Sequence, residues 1–329
     1  MRERENKMKS NGVLRKIIYA LITIMAVIIF NYFLFRILPG DPISMIMRNP
    51  KASEASIEAI RASYGLDQPW YSQFFIYLKG LFTGDFGTSF VYKAPVMEVV
   101  GAKILPTVVM LGLAEILAII VGILMGVMAA WKRGSRLDVG TLSFSLITYS
   151  MPTFWLGMIM VVIFAVNLRW LPISGMSTAG MVYASGLEMI GDMASHLILP
   201  VITMSILLIG EYALTMRNTL IDVLSEDYIT TARAKGFREK YVLRKHAMPN
   251  AMLPMVTIIA INLGLVIGGA VQIETIFSWP GIGNLMYEAL SARDYPVLQG
   301  IFLLVTVCVV LANLLTDLVY DRIDPRVRN

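Results

Sequence analysis

Residues 227–254 read Asp-Tyr-Ile-Thr-Thr-Ala-Arg-Ala-Lys-Gly-Phe-Arg-Glu-Lys-Tyr-Val-Leu-Arg-Lys-His-Ala-Met-Pro-Asn-Ala-Met-Leu-Pro. This is a basic, polar, helix-forming block in a chain that is otherwise lipid-compatible. Ser225, Glu226 and Asp227 suit a helix start, by capping free N–H groups and by complementing the dipole. Lys235 followed by Gly236 suits a stop, with a cation in the last turn and a residue able to take positive φ. Between them, Thr230, Thr231, Ala232 and Ala234 are small enough to admit a close partner, with Tyr228 as an anchor. A second, strongly basic helix is predicted from Arg238 to Ala247. Pro249 and Pro254 then set the entry into an apolar run, since proline is tolerated in a first helical turn. The block predicts two short helices that meet at a turn and dock against something outside the membrane.

The setting is a bilayer. Of 329 residues, 57% are hydrophobic and 16% charged, against about 25% charged in a soluble globular chain. The net charge of +5 is no mark of nucleic-acid binding, because the basic residues fall in short segments beside apolar runs. Met1 to Lys16 is basic and precedes an apolar run, Ile17 to Phe35. That run exceeds a signal-peptide core and lacks a small-residue cleavage site, so it predicts a retained first span. Five more runs follow at about Leu105–Ala130, Leu142–Leu168, Leu197–Met216, Leu253–Ile276 and Val297–Val319. Each is long enough to cross about 30 Å of hydrocarbon.

Lys and Arg fix a predicted sidedness. If the six spans alternate, 19 of the 28 basic residues fall on one side, in segments 1–16, 132–136, 217–245 and 322–328. The positive-inside rule then places both termini and the 217–252 loop in the cytoplasm. The predicted layout is an amino-terminal segment 1–16, a first helix 17–38, an extracytoplasmic insertion 39–103, a five-helix core 104–320 and a tail 321–329. Within the insertion, Ser53–Ala62 has helical spacing, Gln73–Phe82 has an aromatic face, and Gly65, Pro69, Gly84, Gly87 and Pro95 mark turns. A small cap is expected there.

The 227–254 block resembles the cytoplasmic coupling loop of permease subunits in bacterial ABC importers. Their pattern is Glu-Ala-Ala, three residues, Gly, nine residues, Ile-x-Leu-Pro. Here Thr230-Thr231-Ala232 takes the first position and Gly236 the glycine, while His246 stands at the isoleucine and Met248-Pro249 at the Leu-Pro. The spacing agrees throughout, and Ala232, Gly236 and Pro249 agree by identity. The resemblance sharpens within the di- and oligopeptide (peptide/nickel) branch, which carries Asp-Tyr-x-x-Thr-Ala-Arg-Ala-Lys-Gly, as at Asp227–Gly236 here, Arg233 included. Further matching stretches are Arg36-Ile-Leu-Pro-Gly-Asp-Pro42, Tyr64-Gly-Leu-Asp-Gln-Pro69, Gly84-Asp-Phe-Gly-Thr-Ser89 and Glu274-Thr-Ile-Phe-Ser-Trp-Pro-Gly-Ile-Gly283.

The resemblance implies an all-α integral membrane protein with six transmembrane helices, the type I ABC importer permease fold. It also implies a homologous second permease, two ATP-binding cassette subunits, an extracytoplasmic substrate-binding protein and a bacterial inner membrane. Residues 227–236, with His246, Met248 and Pro249, would couple to an ATPase. The chain has no Gly-x-x-x-x-Gly-Lys-Ser/Thr phosphate loop, so it cannot cradle ATP in that way; the resemblance implies ATP and Mg on partner subunits and no cofactor bound by this chain.

Glu115 and Glu211 lie inside apolar runs, where a carboxylate is costly and faces a bundle interior or an aqueous cavity. Each is a candidate for the translocation path, meeting a substrate amine, or alternatively for a structural hydrogen bond between helices. Gly122-x-x-x-Gly126 and Gly264-x-x-x-Gly268 are expected to be packing faces. Pro152, Pro172 and Pro200 mark kinks or boundaries, and Trp155 and Trp170 suit interface anchors. His196 and His246 fall on opposite sides of the membrane and Cys308 in another span, so no zinc site or Cys/His dyad assembles from them. An enzyme is not expected. Two rivals to peptide import stand open: the same machinery carrying nickel, metal chelates or glutathione-like compounds, and an ion-coupled secondary transporter, whose inverted repeats are not apparent.

Overall fold

The computed structural model describes the backbone of residues 2–37, 68–266 and 268–323, and the side chains of 15–34, 68–266 and 268–314. The Ser53–Ala62 segment lies outside the described residues, as do most of the Arg36–Pro42 and Tyr64–Pro69 stretches. The described chain is helical, with one isolated bridge, Thr88 to Pro95. The helices, in order, are α1 (Arg2–Ile37), α2 (Trp70–Thr83), α3 (Val96–Trp131), α4 (Arg136–Ser150), α5 (Thr153–Met160, continued by a π-helical stretch Val161–Asn167), α6 (Gly186–Leu224) and α7 (Asp227–Ala234). They are followed by α8 (Glu239–Val242, continued by a π-helical stretch Leu243–Ala247), α9 (Met248–Val266), α10 (Val271–Ile276), α11 (Ile282–Ala292) and α12 (Tyr295–Ile323).

Five stretches are long and apolar enough to cross a membrane alone: Arg15–Leu34, Val96–Trp131, Gly186–Leu224, Glu239–Val266 and Tyr295–Leu314. The sixth, expected as one run from Leu142 to Leu168, is instead a pair. Helices α4 and α5 are bent by 103° relative to each other. The cause is Pro152. It offers no N–H and disfavours helix at the residue before it. Met151 is accordingly extended at φ −85°, ψ 125°, and Pro152 is the N-cap of α5.

Other boundaries moved for local reasons. Helix α6 begins well ahead of Leu197 because Ser185 caps it: Ser185 Oγ accepts from Glu188 N at 3.3 Å, and Glu188 Oε2 reaches back to accept from Ala184 N, just before the cap, at 2.7 Å. Pro200, expected as a kink or boundary, therefore lies inside α6. The fifth apolar run stops short of Ile276. Helix α9 ends at Val266, and α10 starts after Gly269, which sits at φ +74°.

Helices α3 and α6 form the spine. A Cβ on Gly122 would lie 2.5 Å from Tyr212 Cβ, and one on Gly126 would lie 2.6 Å from the Ala213 carbonyl. Only glycine admits so close a crossing, which is how membrane helices gain dispersion contact without a hydrophobic drive. Gly264 does the same for α9 against α12, 2.5 Å from Ala312 Cβ. Both expected packing faces are thus occupied by neighbouring helices.

At one end of the bundle the 84–95 turn folds onto the corner after α11. Buried Asp294 accepts from Ser89 Oγ at 2.5 Å and Val91 N at 3.1 Å, and Tyr92 donates to Glu288 at 2.6 Å. Desolvation and then the Glu288 carboxylate push the Tyr92 hydroxyl up to about 12, so it stays a donor at neutral pH. The 227–249 block lies between α6 and α9.

Candidate functional site

The 227–249 block is a hairpin, built much as its residue types require. Gly236 takes φ +82° and its N–H bonds to the Arg233 carbonyl at 2.9 Å, stopping α7 where expected. Glu226 occupies the N-cap of α7, with Asp227 in its first turn. Ser225 was expected to share in starting α7 but instead closes α6, donating to the Asp222 carbonyl at 2.6 Å. After the turn, α8 runs through its π-helical stretch into α9 without a break. The widened stretch immediately precedes Pro249, whose ring would clash with the Lys245 carbonyl in a regular helix.

Helix α7 has one inward position per turn. Ile229 is fully buried and Ala232 is 4% exposed, packed with Leu220, Val242, Ala247 and Met255. Its other side chains, Asp227, Tyr228, Thr230, Thr231, Arg233 and Ala234, are exposed, as are Lys235 and Gly236. Ala232 is small because α7 lies tight against its own chain. The outward face, with Tyr228 41% exposed, is what a partner can touch. Asn250 donates to the Tyr228 hydroxyl at 2.9 Å and to the His246 carbonyl at 2.9 Å, which ties α7 to α9.

Two features of the hairpin escaped sequence reasoning. Arg233 and Glu239 pair across the turn, Nε to Oε1 at 3.0 Å and Nη2 to Oε2 at 3.4 Å. Both are exposed, so the pair fixes shape more than it adds stability. Phe237, Tyr241 and His246 gather their rings at 5.1, 6.0 and 5.8 Å between centroids. Phe237 and Tyr241 remain more than 40% exposed, extending the outward face with apolar area. His246 and Met248 are half-buried and Pro249 exposed. The hairpin presents a preformed ledge, polar and basic, with aromatic edges.

Glu115 and Glu211 occupy different environments. Glu115 on α3 is 2% exposed and accepts a short hydrogen bond from the Tyr212 hydroxyl, which itself accepts from Asn262 Nδ2 at 3.0 Å. A polar chain therefore joins α3, α6 and α9, and in this conformation Glu115 is enclosed by it. Glu211 is half-buried, the more accessible of the two carboxylates.

The Glu274–Gly283 stretch acquires a physical reason. Glu274 is fully buried. Its Oε2 accepts from Asn284 N at 2.9 Å in the first turn of α11, and its Oε1 accepts from Thr107 Oγ1 at 2.9 Å. Thr107 in turn accepts from Ile282 N at 2.8 Å. A carboxylate ahead of the helix thus does the work of an N-cap. Trp279, also fully buried, donates from Nε1 to the Pro106 carbonyl at 2.9 Å. A Cβ on Gly281 would lie 2.4 Å from Glu274 Oε2, which explains the spacing between acid and glycine.

Comparison with known proteins agrees with this geometry. Residues 122–329 match the family described as binding-protein-dependent transport system inner membrane component, and residues 10–112 match its N-terminal membrane component. The chain is 39% identical over 316 residues to the "Probable peptide ABC transporter permease protein y4tP" of Sinorhizobium fredii, covering 96% of this chain and 98% of that one. It is 36% identical, with the same coverage, to the oligopeptide transport system permease protein AppB of Bacillus subtilis. It is also 36% identical to the glutathione transport system permease protein GsiC of Salmonella typhimurium, covering 97% of this chain and 99% of that one. Among solved structures, an inward-facing MetNI methionine ABC transporter chain superposes with a TM-score of 0.54 over 69% of this chain and 97% of that one. At 17% identity that likeness concerns the fold. The chain belongs to the inner membrane components of binding-protein-dependent transport systems, and it is a transport subunit whose ATP hydrolysis resides elsewhere.

Proposed function

We propose that this chain forms half of the translocation pathway of an ATP-driven importer for di- or oligopeptides, paired with a homologous second permease. Both termini and the 217–252 loop are cytoplasmic, as the distribution of Lys and Arg supports. The 226–249 hairpin docks in a groove of one of two ATPase subunits, which hold ATP and Mg. Substrate arrives from an extracytoplasmic binding protein. One observation carries the assignment: α7 is packed inward through Ile229 and Ala232 and exposed everywhere else. A helix so mounted moves with its permease and offers its whole outer face to a partner.

Cysteine cross-linking tests it. In the assembled complex Tyr228→Cys or Thr231→Cys forms a cross-link to an ATPase subunit, whereas Ala232→Cys does not, because its side chain points into the permease. Absence of any ATPase cross-link from Tyr228 and Thr231 in a complex that imports would overturn the assignment.

The cargo rests on the relatives. Those named for peptides support di- and oligopeptides, and the one named for glutathione, itself a tripeptide, supports the second reading. Our reading puts Glu211 on the path, supported by its half-buried position in an apolar span, with Glu115 lining it in the opposite state, once the Tyr212 bond opens. Glu211→Gln is expected to lower uptake several-fold while the subunit still assembles, as an intramembrane carboxylate in contact with cargo requires. Labelled dialanine and glutathione uptake into proteoliposomes measures this. Unchanged uptake of both would remove Glu211 from the path.

A further inference from the structure

Helix α4 meets the rest of the bundle through an unusual set of side chains. Its buried residues are Asp138, Thr141, Ser145 and Thr148, all polar, spaced three and four apart on one face. That face lies against α6, where a Cβ on Gly210 would be 2.0 Å from Thr148 Oγ1. Phe144 of α4 is half-buried against the cluster that holds Tyr212 and Met216, but the fully buried seam is made of small side chains, which let the backbones approach closely and interlock little. The corner leading into α4 adds nothing, since Asp138 is the only buried residue among 131–140.

Asp138 holds the seam. Its Oδ1 accepts from Arg217 Nε at 2.5 Å and its Oδ2 from Arg217 Nη2 at 3.0 Å, a forked pair at 4% and 14% side-chain exposure. Oδ2 also accepts from Gly134 N at 2.8 Å, and Asp138 N donates to Ser135 Oγ at 3.4 Å. One carboxylate therefore fixes both the corner between α3 and α4 and its attachment to α6. Forked, charge-assisted bonds of this kind set orientation as well as distance.

Arg217 lies in the last two turns of α6, about 10 Å of helix before its end at Leu224 at 1.5 Å per residue, and α7 begins three residues later at Asp227. We infer that Asp138 and Arg217 are positioning residues for coupling: their ion pair makes the α3–α4 corner follow α6 whenever the hairpin is displaced. This inference rests on the coupling role proposed above. Without the pair, α7 would still dock and α6 would still move, but α4 and the bent pair it begins would slip on their polar seam.

The test uses the complete complex in lipid nanodiscs, both permeases and both ATPases, with its binding protein added. Basal ATP hydrolysis is compared with hydrolysis stimulated by the binding protein. Asp138→Asn keeps an acceptor for Gly134 N while removing the charge that holds Arg217, and Arg217→Lys keeps the charge but loses the fork. Both are expected to assemble and to retain basal hydrolysis within about twofold, while stimulation falls about tenfold, the scale of effect that loss of a buried pair allows. Asp138→Glu is expected to restore part of the stimulation. A residue of purely structural importance would change the yield of complex and leave the ratio of stimulated to basal hydrolysis alone. Wild-type stimulation in both variants, or failure of both to assemble, overturns the inference. Absence of stimulation in the wild-type complex would instead strike the coupling role on which it rests.

Discussion

Gly126→Leu is expected to abolish the folded subunit, destabilising the bundle by about 3 kcal/mol or more. A Cβ at this position would sit 2.6 Å from the Ala213 carbonyl, 2.7 Å from Met216 Cβ and 3.0 Å from Arg217 N. Two of those three atoms are backbone, so no rotamer change relieves the clash, and α3 must separate from α6. The consequence reaches the 227–249 hairpin, because Met216 shares a packed cluster with Ile229 and Val242. Gly101→Leu is the matched control. It lies on the same helix with nothing within 4 Å of its added Cβ, and replacing an exposed helical glycine gains about 0.5–1 kcal/mol. Thermal unfolding of the detergent-solubilised subunit, followed by size-exclusion profile, separates the two. Equal behaviour of both variants would refute the close crossing.

Glu274→Ala is expected to cost about 3 kcal/mol or more, because it strands Asn284 N and the Thr107 hydroxyl in the interior and each unpaired buried donor costs about 1–3 kcal/mol. Glu274→Gln is expected to be much milder. Its carbonyl oxygen can accept from Asn284 N and its amide can face Thr107, so the shape survives and one acceptor remains. Protease accessibility of the 276–295 stretch, compared between the variants, gives the readout. A Gln variant as damaged as the Ala variant would show that the negative charge, and not the pattern of acceptors, holds the start of α11.

The sequence revealed the parts that depend on neighbours along the chain. Apolar run length disclosed the spans, Lys235-Gly236 disclosed the end of α7, and two Gly-x-x-x-Gly spacings disclosed packing faces. What it concealed depends on residues distant in sequence. Asp138 and Arg217 are separated by 79 positions, and Thr107 and Glu274 by 167, and no local pattern announces either pair. Pro152 marked a boundary legibly, but not a bend of 103°. The early start of α6 was legible in principle, since Ser185 followed three residues later by Glu188 has capping-box spacing; the hydropathy of Leu197–Met216 drew the boundary inward instead. The inward orientation of Ala232 could not be read from its size, because a small residue suits close approach on either side of a helix.

The corner at Met151–Pro152 has a consequence for how the chain enters the bilayer. Its first arm, α4, has 15 residues, and α5 with its π-helical continuation spans Thr153–Asn167. Neither arm reaches the roughly 20 residues that a lone crossing needs. A nascent chain exposing only the first arm therefore lacks the length of a lone crossing, which the two arms exceed only together.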